Sequence, residues 1–558
     1  MGRRNKIGTN FALQATILAA ASIVSKLIGM IYNIPFANIL KEEGNGYYGR
    51  AQTIYALILL IATFSIPSAI SKIMAERIEK GEYRNVKRIF DVSMIYVFAV
   101  GGIAALITYI FAPYMVKEVS NAVLSLRVLA PTIFLSGFLS VYRGYYQSYG
   151  NMVPTSISQI VEQFFNAVVS IAAALLFIQW ASTKGMDASG VARVGAAGGT
   201  VGTGVAVLAG LIYMMVIFKK ERKELNAKIA ADTTEELLSY RQAFKLLLMI
   251  ATPIIFSSFI YNVNVTLDMK IFDWLYTKTA GGNEALVSAQ YALYNRYYMV
   301  LANVPIAMAA AVASAIIPRV SSAYALGERG TCRYRVQQSI ELATTLTLPC
   351  AVGFAVLAKP IVHLLYYSLS EENTDTVAML LILGGLSIVL YGISSVLNGV
   401  LQGIGRVNIP VISAAAALVL HVVLLIPLMI YTNLGVYSLI IATLFYVIVI
   451  IIINSRDVKK ELNYKLKWKP AVWIPLSAAA IMGIVAIIVY AGLYSLCGCF
   501  AGNYTANAIA VLMAIVVAAA SYFVALIKFG GYTREMLECF PKGMMLANIA
   551  EKLHLLKK

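Results

Sequence analysis

The stretch SAQYALYNRYYMVLANVPIAMAAAVASAIIP, residues 288–318, is a long apolar segment that contains a single arginine, Arg296. Similar apolar runs recur along all 558 residues, of which 60% are hydrophobic and only 13% are charged. Soluble proteins carry about 25% charged residues, and an apolar run of about 20 residues can cross a bilayer as a helix. The sequence therefore predicts an all-α integral membrane protein with little room for a soluble domain.

Charged and Gly/Pro breaks between the apolar runs predict about fourteen transmembrane helices. Six of them lie in an N-lobe, 1–218, and six in a C-lobe, 245–455. A polar cytoplasmic linker, 219–244, joins the lobes. Two further helices occupy 456–529, and a mixed apolar and basic tail, 530–558, is expected to lie along the inner membrane surface.

Short matches along the chain indicate that the two lobes are repeats of one unit. YGR at 48–50 and YNR at 294–296 have the same separation as SAI at 68–70 and SAI at 314–316. The pattern G-x-x-Q-x-x-G also occurs twice, at 144–150 and 399–405. Because six helices are an even number, the copies insert as parallel repeats, and transporters of this kind bind substrate between their halves.

The net charge of +18 is unevenly distributed. Most of the 45 lysines and arginines fall at the N-terminus, in the even-numbered loops and in the C-terminal tail. By the positive-inside rule, both termini face the cytoplasm. The basic residues then face anionic membrane lipid, so we expect no nucleic-acid partner.

Three cations lie within predicted spans: Lys26, Arg50 and Arg296. Because a charge inside the bilayer is costly, such residues usually face a cavity and serve a function. Together they predict a binding site for an anionic substrate, such as a phosphate or pyrophosphate group. Arg50 and Arg296 occupy matching repeat positions and are expected to face each other, although Arg50 is also placed to snorkel to the outer interface.

Two acids, Glu162 and Asp268, also lie within spans. They either balance the buried cations or bind a coupling proton or sodium ion. No catalytic or nucleotide-binding motif occurs, and the five cysteines lack metal-ligand spacing. We therefore expect a transporter and no enzyme, without a cofactor and driven by the membrane potential, Na⁺ or H⁺.

Several segments resemble the polysaccharide and lipid II flippase branch of the multidrug/oligosaccharidyl-lipid/polysaccharide exporter superfamily. They are SIPSAISKIMAERIEKGE (65–82), LRVLAPTIFLSGFLSVYRGYYQSYGNMVPTSISQIVEQ (126–163), LPCAVGFAVLAKPIVHLLY (348–366) and VLNGVLQGIGRVNIP (396–410). Within that branch the chain is most similar to the MurJ-type and stage V sporulation protein B families of bacteria.

The resemblance implies two six-helix lobes around a cationic cavity, with a lipid-facing groove formed by the last two helices. It also implies that a sugar carried on undecaprenyl pyrophosphate, lipid II in the first instance, moves from the inner to the outer leaflet by alternating access. Lys26 stands where the family often has a basic residue, and Arg296 matches the family's helix 8 arginine. MurJ-type proteins of some bacteria carry an acidic residue one turn after this arginine, whereas this chain has YYMV at 297–300.

Two other functions fit the same fold: a flippase for another lipid-linked polysaccharide, of capsule, teichoic or spore type, and a cation-coupled multidrug antiporter. Three in-span cations favour an anionic substrate over a cationic drug. The short outer loops disfavour a membrane glycosyltransferase. We expect a monomer in the bacterial cytoplasmic membrane whose partners are the lipid-linked oligosaccharide and membrane lipid.

Overall fold

The computed structural model describes residues 2–64, 66–500, 502–531, 544, 548 and 551–552. Side chains are described from Ala21 onward, apart from those of residues 22, 23, 64 and 261 in these ranges. The described chain is helical almost throughout and contains no β-strand, which confirms the predicted all-α class. The predicted tail, 530–558, lies almost entirely outside the described residues.

The chain divides into two compact units, Met1–Arg296 (unit 1) and Tyr297–Lys558 (unit 2). The helices of unit 1 are α1 (Gly2–Leu59), α2 (Ile66–Glu79), α3 (Tyr83–Tyr96), α4 (Gly102–Met115), α5 (Val123–Ser148), α6 (Val153–Thr183), α7 (Ala188–Ala231), α8 (Tyr240–Thr279) and α9 (Glu284–Ala292). Those of unit 2 are α10 (Met299–Ala325), α11 (Arg329–Val356), α12 (Ala358–Leu365), α13 (Glu371–Gly403), α14 (Asn408–Tyr431), α15 (Tyr437–Leu462), α16 (Ile474–Gly498) and α17 (Asn503–Lys528).

Short segments of other helix types connect some of these helices. Four are π-helical, Leu60–Phe64, Val97–Gly101, Leu293–Tyr298 and Lys469–Trp473, and Ser120–Ala122 is a 3₁₀ turn. Unit 1 includes α8 and α9, so it is larger than the predicted N-lobe. The two repeats themselves stay a prediction.

Among the described residues, 13 helical stretches are long and apolar enough to cross a membrane, so the protein is a multi-pass membrane protein. The first stretch, Val24–Glu79, has 56 residues and contains most of the first two predicted spans. A single crossing needs only about 20 residues. The exact count of fourteen stays a prediction.

The long helix α1 is broken at Lys41, whose backbone has φ 55° and ψ −171°. A non-glycine residue with positive φ is strained and needs support from its surroundings. The side-chain amide of Asn45 provides it by donating 2.7 Å hydrogen bonds to the carbonyls of Ala37 and Lys41. α1 therefore consists of two helical segments, one on each side of this residue.

Close packing in unit 1 depends on a row of small residues in α7. A Cβ built on Gly199 would lie 2.4 Å from Phe36 of α1, and one built on Gly202 would lie 2.0 Å from Ser170 of α6. Small residues let membrane helices approach closely, where van der Waals packing and hydrogen bonds hold them. Ser170 Oγ accordingly donates a 2.9 Å hydrogen bond to the carbonyl of Gly199.

Unit 2 has its own core, formed by buried side chains of α10, α11, α13 and α15. α16 and α17 form a hairpin that packs against α11 and α12. Asn507 of α17 donates a 3.1 Å hydrogen bond to the carbonyl of Pro360 in α12. The two C-terminal helices are therefore integral to unit 2.

The predicted linker, 219–244, is largely helical, because α7 runs to Ala231 and α8 begins at Tyr240. Only 232–239 form a connection, and hydrogen bonds attach it to the first turn of α3. Asp232 accepts a 2.7 Å hydrogen bond from the backbone N–H of Arg84. The Asn85 amide donates a hydrogen bond to the carbonyl of Glu236 and accepts one from the backbone N–H of Leu238. Ser239 and Gln242 then form a capping box at the start of α8.

Candidate functional site

Arg296 lies in the π-helical segment Leu293–Tyr298, a local geometry that is frequent at functional sites. Its Nη2 donates a 2.5 Å hydrogen bond to Asn33 Oδ1 of α1, and its guanidinium lies 4.7 Å from the centre of the Tyr48 ring. Its Nε is buried and has no hydrogen-bond partner among the described residues. Arg296 is thus positioned by α1 but retains a donor for another group.

The local structure of α1 explains why Arg296 takes this position. The Asn33 amide nitrogen donates a 2.6 Å hydrogen bond to the carbonyl of Gly29, which leaves its oxygen directed at the guanidinium. Gly49 makes room for the side chain, since a Cβ there would lie 3.2 Å from Arg296 Cδ. One amide and one glycine on α1 therefore fix the cation.

A cavity of about 490 Å³ lies beside this guanidinium, and we call it the Arg296 cavity. α1, α8 and the π-helical segment line it, with Gln52, Thr53, Asn262 and Asn295 supplying polar groups. Among its described lining residues, only Arg296 carries a charge. A single cation with polar neighbours and a spare donor suits an anionic group.

Arg50 is fully buried, and all five of its N–H donors are used inside unit 1. Its Nε and Nη2 bind Asp273, with a shortest distance of 2.5 Å. The remaining donors reach the carbonyls of Gly46 and Val287 and the hydroxyl of Ser288, each at 3.1–3.2 Å. No donor is left for a substrate, so this geometry does not support the predicted substrate-binding role of Arg50.

Lys26 has an exposed side chain on α1, and none of the described ion pairs includes it. It precedes Asn33 by seven residues, or about two helical turns, so the two share a face of α1. Lys26 therefore lies about 10 Å along the helix axis from the residue that holds Arg296, on the same side. It is not among the residues that line the Arg296 cavity.

Glu162 forms a 3.0 Å ion pair with Arg143, and both side chains are 17% exposed. The pair lines a second cavity of unit 1, of about 320 Å³, between α1, α5, α6 and α7. Four side-chain amides also line this space, which we call the amide cavity: Gln147, Gln159, Gln163 and Asn166. Glu162 thus balances a cation that differs from the three predicted ones.

Asp268 is buried in α8, where its Oδ2 lies 3.5 Å from the amide nitrogen of Asn264. The acid that balances Arg50 is instead Asp273, five residues later on the same helix. Of the five predicted site residues, the structure therefore gives Arg296 a cavity, and Arg50, Glu162 and Asp268 intramolecular partners.

Unit 2 contains an apolar groove of about 390 Å³ between α11, α12, α16 and α17. Its lining includes Leu346, Cys350, Phe354, Met482 and Phe523, and nearly all of its surface is hydrocarbon. The groove involves α16 and α17, whereas the lipid-facing position that the resemblance implies stays a prediction. We call it the apolar groove.

The described residues contain no cluster of His, Cys, Asp and Glu that could hold a metal ion. Four described cysteines, Cys332, Cys350, Cys497 and Cys499, are free thiols.

Comparison with known families identifies the family of this chain. A model of the family described as "Polysaccharide biosynthesis protein" matches residues 12–324, more than half of the chain. The chain belongs to this polysaccharide biosynthesis family. A second model, MatE, matches residues 253–426.

Two curated relatives of this polysaccharide biosynthesis family protein come from Bacillus subtilis (strain 168). The lipid II flippase MurJ is 25% identical over 493 residues, which cover 85% of this chain and 87% of the relative. Stage V sporulation protein B is 23% identical over 456 residues, covering 81% and 84%. The predicted membership in the flippase branch of the exporter superfamily is confirmed.

Solved structures show the same fold. The lipid II flippase MurJ in an inward closed conformation has a TM-score of 0.64 at 16% identity and covers 91% of this chain and 98% of its own. An inward-facing multidrug resistance MATE family transporter of the same superfamily has a TM-score of 0.62 at 16% identity, covering 79% and 94%. At these identities the likeness is one of fold alone.

The sequence reasoning missed Asn33, Tyr48, Asp273 and Arg143. Arg143 of α5 pairs with Glu162 of α6 inside unit 1. A second acid five residues after Asp268 was a signal for Asp273. For Asn33, the signal was its position two helical turns after Lys26.

Proposed function

We propose that this protein is a flippase for a cell-wall sugar precursor carried on undecaprenyl pyrophosphate, lipid II in the first instance. It would move the precursor from the inner to the outer leaflet. The observation that carries the proposal is the single cation of the Arg296 cavity, with its buried Nε free of described partners. The names of the relatives, a lipid II flippase among them, support the same substrate class.

The pyrophosphate would bind at Arg296. Guanidinium groups bind phosphate oxygens through paired hydrogen bonds, and these gain strength where water is scarce. Asn33 and Tyr48 hold the guanidinium without neutralising it, because neither carries a charge. Lys26, on the same face of α1, would attract the anion as it approaches. Arg50 is assigned to structure, through its ion pair with Asp273.

The prenyl chain would occupy the apolar groove of unit 2. Each methylene that leaves water contributes about 0.8 kcal/mol, so even part of a long chain adds substantial affinity. The groove supplies leucine, phenylalanine and methionine side chains and almost no polar surface. This matches an uncharged hydrocarbon better than a polar headgroup.

The same proposal puts the protein in the bacterial cytoplasmic membrane, with both termini in the cytoplasm and the precursor entering from the inner leaflet. Alternating access through a central cationic cavity, and a monomeric state, belong to the same proposal. The membrane potential, Na⁺ or H⁺ would drive the cycle. Glu162 and Asp268 are the acids that could bind a coupling ion, and in this structure Glu162 balances Arg143.

The first test is lipid II translocation in cells depleted of their own flippase. Wild type is expected to restore flipping, Arg296→Ala to abolish it, and Arg296→Lys to retain a fraction, because a lysine keeps the charge without the planar fork. Lys26→Ala is expected to slow flipping. The control, Arg333→Ala, removes an exposed arginine of α11 and is expected to behave as wild type.

The outcomes separate the candidate substrates. If well-expressed wild type leaves lipid II on the inner leaflet, the lipid II assignment fails. The same cells can then be assayed for other lipid-linked polysaccharides and for cationic drug efflux. If Arg296→Ala flips lipid II at the wild-type rate, the Arg296 cavity is not the anion site.

A further inference from the structure

The amide cavity of unit 1 has a chemical character that a phosphate site does not need. Besides its four amides, the cavity is lined by the hydroxyl groups of Ser136, Ser140, Thr155 and Thr203. Its two charges, those of Arg143 and Glu162, cancel in their 3.0 Å ion pair. The cavity therefore offers many hydrogen-bond donors and acceptors and no net charge.

Part of this hydrogen-bonding capacity is unused within the protein. Glu162 Oε1 and Thr155 Oγ1 are buried and have no hydrogen-bond partner among the described residues. Leaving a buried polar atom without a partner is costly, so such atoms in a cavity usually meet water or a ligand. A neutral ligand rich in hydroxyl and amide groups would satisfy both.

The amide cavity adjoins the Arg296 cavity. Tyr55 and Leu59 of α1 line both. Gln52, which lines the Arg296 cavity, donates a 3.0 Å hydrogen bond to the hydroxyl of Thr203. The Thr203 hydroxyl in turn lies 3.4 Å from Asn166 Oδ1. Thr203 and Asn166 both line the amide cavity. An unbroken chain of polar side chains thus connects the two spaces.

A second contact links the amide cavity to the residue that holds Arg296. A Cβ built on Gly29 would lie 3.6 Å from Gln163 Oε1, and the Gly29 carbonyl accepts the hydrogen bond that orients Asn33. A ligand whose anionic group binds Arg296 can therefore extend a neutral part towards Gln163. The volume of about 320 Å³ lies near the lower end of the ~300–1,000 Å³ typical of small-molecule sites.

We propose that the amide cavity is a subsite for the neutral sugar of an anionic glycolipid headgroup, with the amides and hydroxyls binding N-acetyl and hydroxyl groups of a hexosamine. The inference rests on the proposed function, because the adjoining phosphate site is that of Arg296. The subsite would recognise the sugar, which is uncharged and lies beyond the phosphate that Arg296 binds. The amides become specificity-determining residues for the sugar.

The test compares two lipids on purified full-length protein in nanodiscs: undecaprenyl pyrophosphate, which lacks sugar, and lipid II. The double variant Gln147→Met/Gln163→Met keeps side-chain size, removes two amides and leaves the Arg143–Glu162 pair intact. We expect its Kd for lipid II to rise about tenfold or more, with the Kd for undecaprenyl pyrophosphate unchanged. Arg296→Ala is expected to weaken binding of both lipids.

The matched control is Gln402→Met, which changes an exposed glutamine at the end of α13. Unchanged binding of undecaprenyl pyrophosphate by the double variant shows that it is folded, and the single variant Gln163→Met provides a milder second test. If wild type binds both lipids equally, or if the double variant binds lipid II as wild type does, the sugar subsite is refuted and the proposed flippase still stands. Binding of neither lipid by wild type refutes both proposals. A double variant that loses Na⁺ binding but keeps lipid II affinity identifies a cation site instead and also refutes the sugar subsite.

Discussion

Arg50 and Arg296 differ in how many of their donors the protein itself uses. Arg50 has five acceptors around its guanidinium, including both oxygens of Asp273. Arg296 has one described hydrogen bond and an aromatic ring beside it. The charge of a cation that no acid neutralises can attract an anionic ligand, whereas a cation in an ion pair stabilises the fold.

Removing Asp273 is expected to destabilise the protein. Asp273→Ala leaves Arg50 buried without its counter-ion, and breaking such a pair costs about 3–5 kcal/mol. The double variant Arg50→Met/Asp273→Leu removes both charges and should recover much of that stability. Thermal unfolding of the purified variants measures the effect. Unchanged unfolding of Asp273→Ala would contradict the structural role assigned to Arg50.

Asn33 is expected to act on transport through Arg296. Asn33→Asp places a carboxylate 2.5 Å from the guanidinium, pairs it internally and should weaken binding of undecaprenyl pyrophosphate more than Asn33→Ala does. Direct binding measurements on both variants, with Asn503→Asp as an exposed control, test this order. Equal binding by Asn33→Asp and wild type would show that Asn33 does not tune the cation.

The charged positions could be found in the sequence, but their partners could not. Arg296, Arg50 and Glu162 stand out because each interrupts an apolar run. Whether a cation is free or paired depends on residues such as Asp273, which lies 223 positions from Arg50 in the chain. Such pairs are set by tertiary packing, which one sequence does not reveal.

At the scale of elements, the contact of α6 with α7 depends on glycine. Gly202→Ala would place a Cβ 2.0 Å from Ser170 Oγ and should separate the helices, at a cost of about 1–3 kcal/mol. Gly492→Ala in α16 meets nothing within 4 Å and serves as the control. The melting temperatures of the two variants distinguish them. A fall of similar size in both would refute the packing argument.

The connection between α7 and α8 is expected to be sensitive to acid. Burial acts to raise the pKa of Asp232, but hydrogen bonds from Arg84 and Thr234 outweigh it, so its pKa is lowered. A carboxyl group with a lowered folded-state pKa stabilises the fold at pH values above its unfolded-state pKa of ~3.9. This stabilisation is lost as the pH falls through the folded-state pKa. Asp232→Asn should therefore destabilise the connection at neutral pH and match wild type at the lowest pH.

Limited proteolysis of the 232–239 connection measures this effect. Cleavage should be faster in Asp232→Asn at pH 7, with Asp457→Asn at the end of α15 as a control. Cleavage at the wild-type rate at pH 7 would show that the carboxylate contributes nothing there.

The helices were predictable because long apolar runs need an internally bonded backbone in a membrane. Their local irregularities were not. The break at Lys41 depends on the side chain of Asn45, and the π-helical segment at Arg296 has no proline or glycine to mark it. The π-helical segment carries Arg296, so this detail of the candidate site required the structure.

At the scale of the whole molecule, each unit contributes a different chemistry. Unit 1 contains the cation and the amides, and unit 2 contains the apolar groove. Under the proposed function, the anionic headgroup binds in unit 1 and the hydrocarbon chain in unit 2. This division predicts that affinity for the chain can be changed without a change at Arg296.

Filling the apolar groove tests that prediction. Cys350→Trp adds a large ring to the groove lining and should raise the Kd for undecaprenyl pyrophosphate about tenfold, because fewer methylene groups of the chain are then removed from water. Geranyl pyrophosphate, whose chain is short, should bind Cys350→Trp as it binds wild type. Cys499→Trp, at an exposed site, controls for the added ring. Equal weakening for both lipids would mean that the groove acts on the headgroup site, and no weakening for either would exclude it as the chain site.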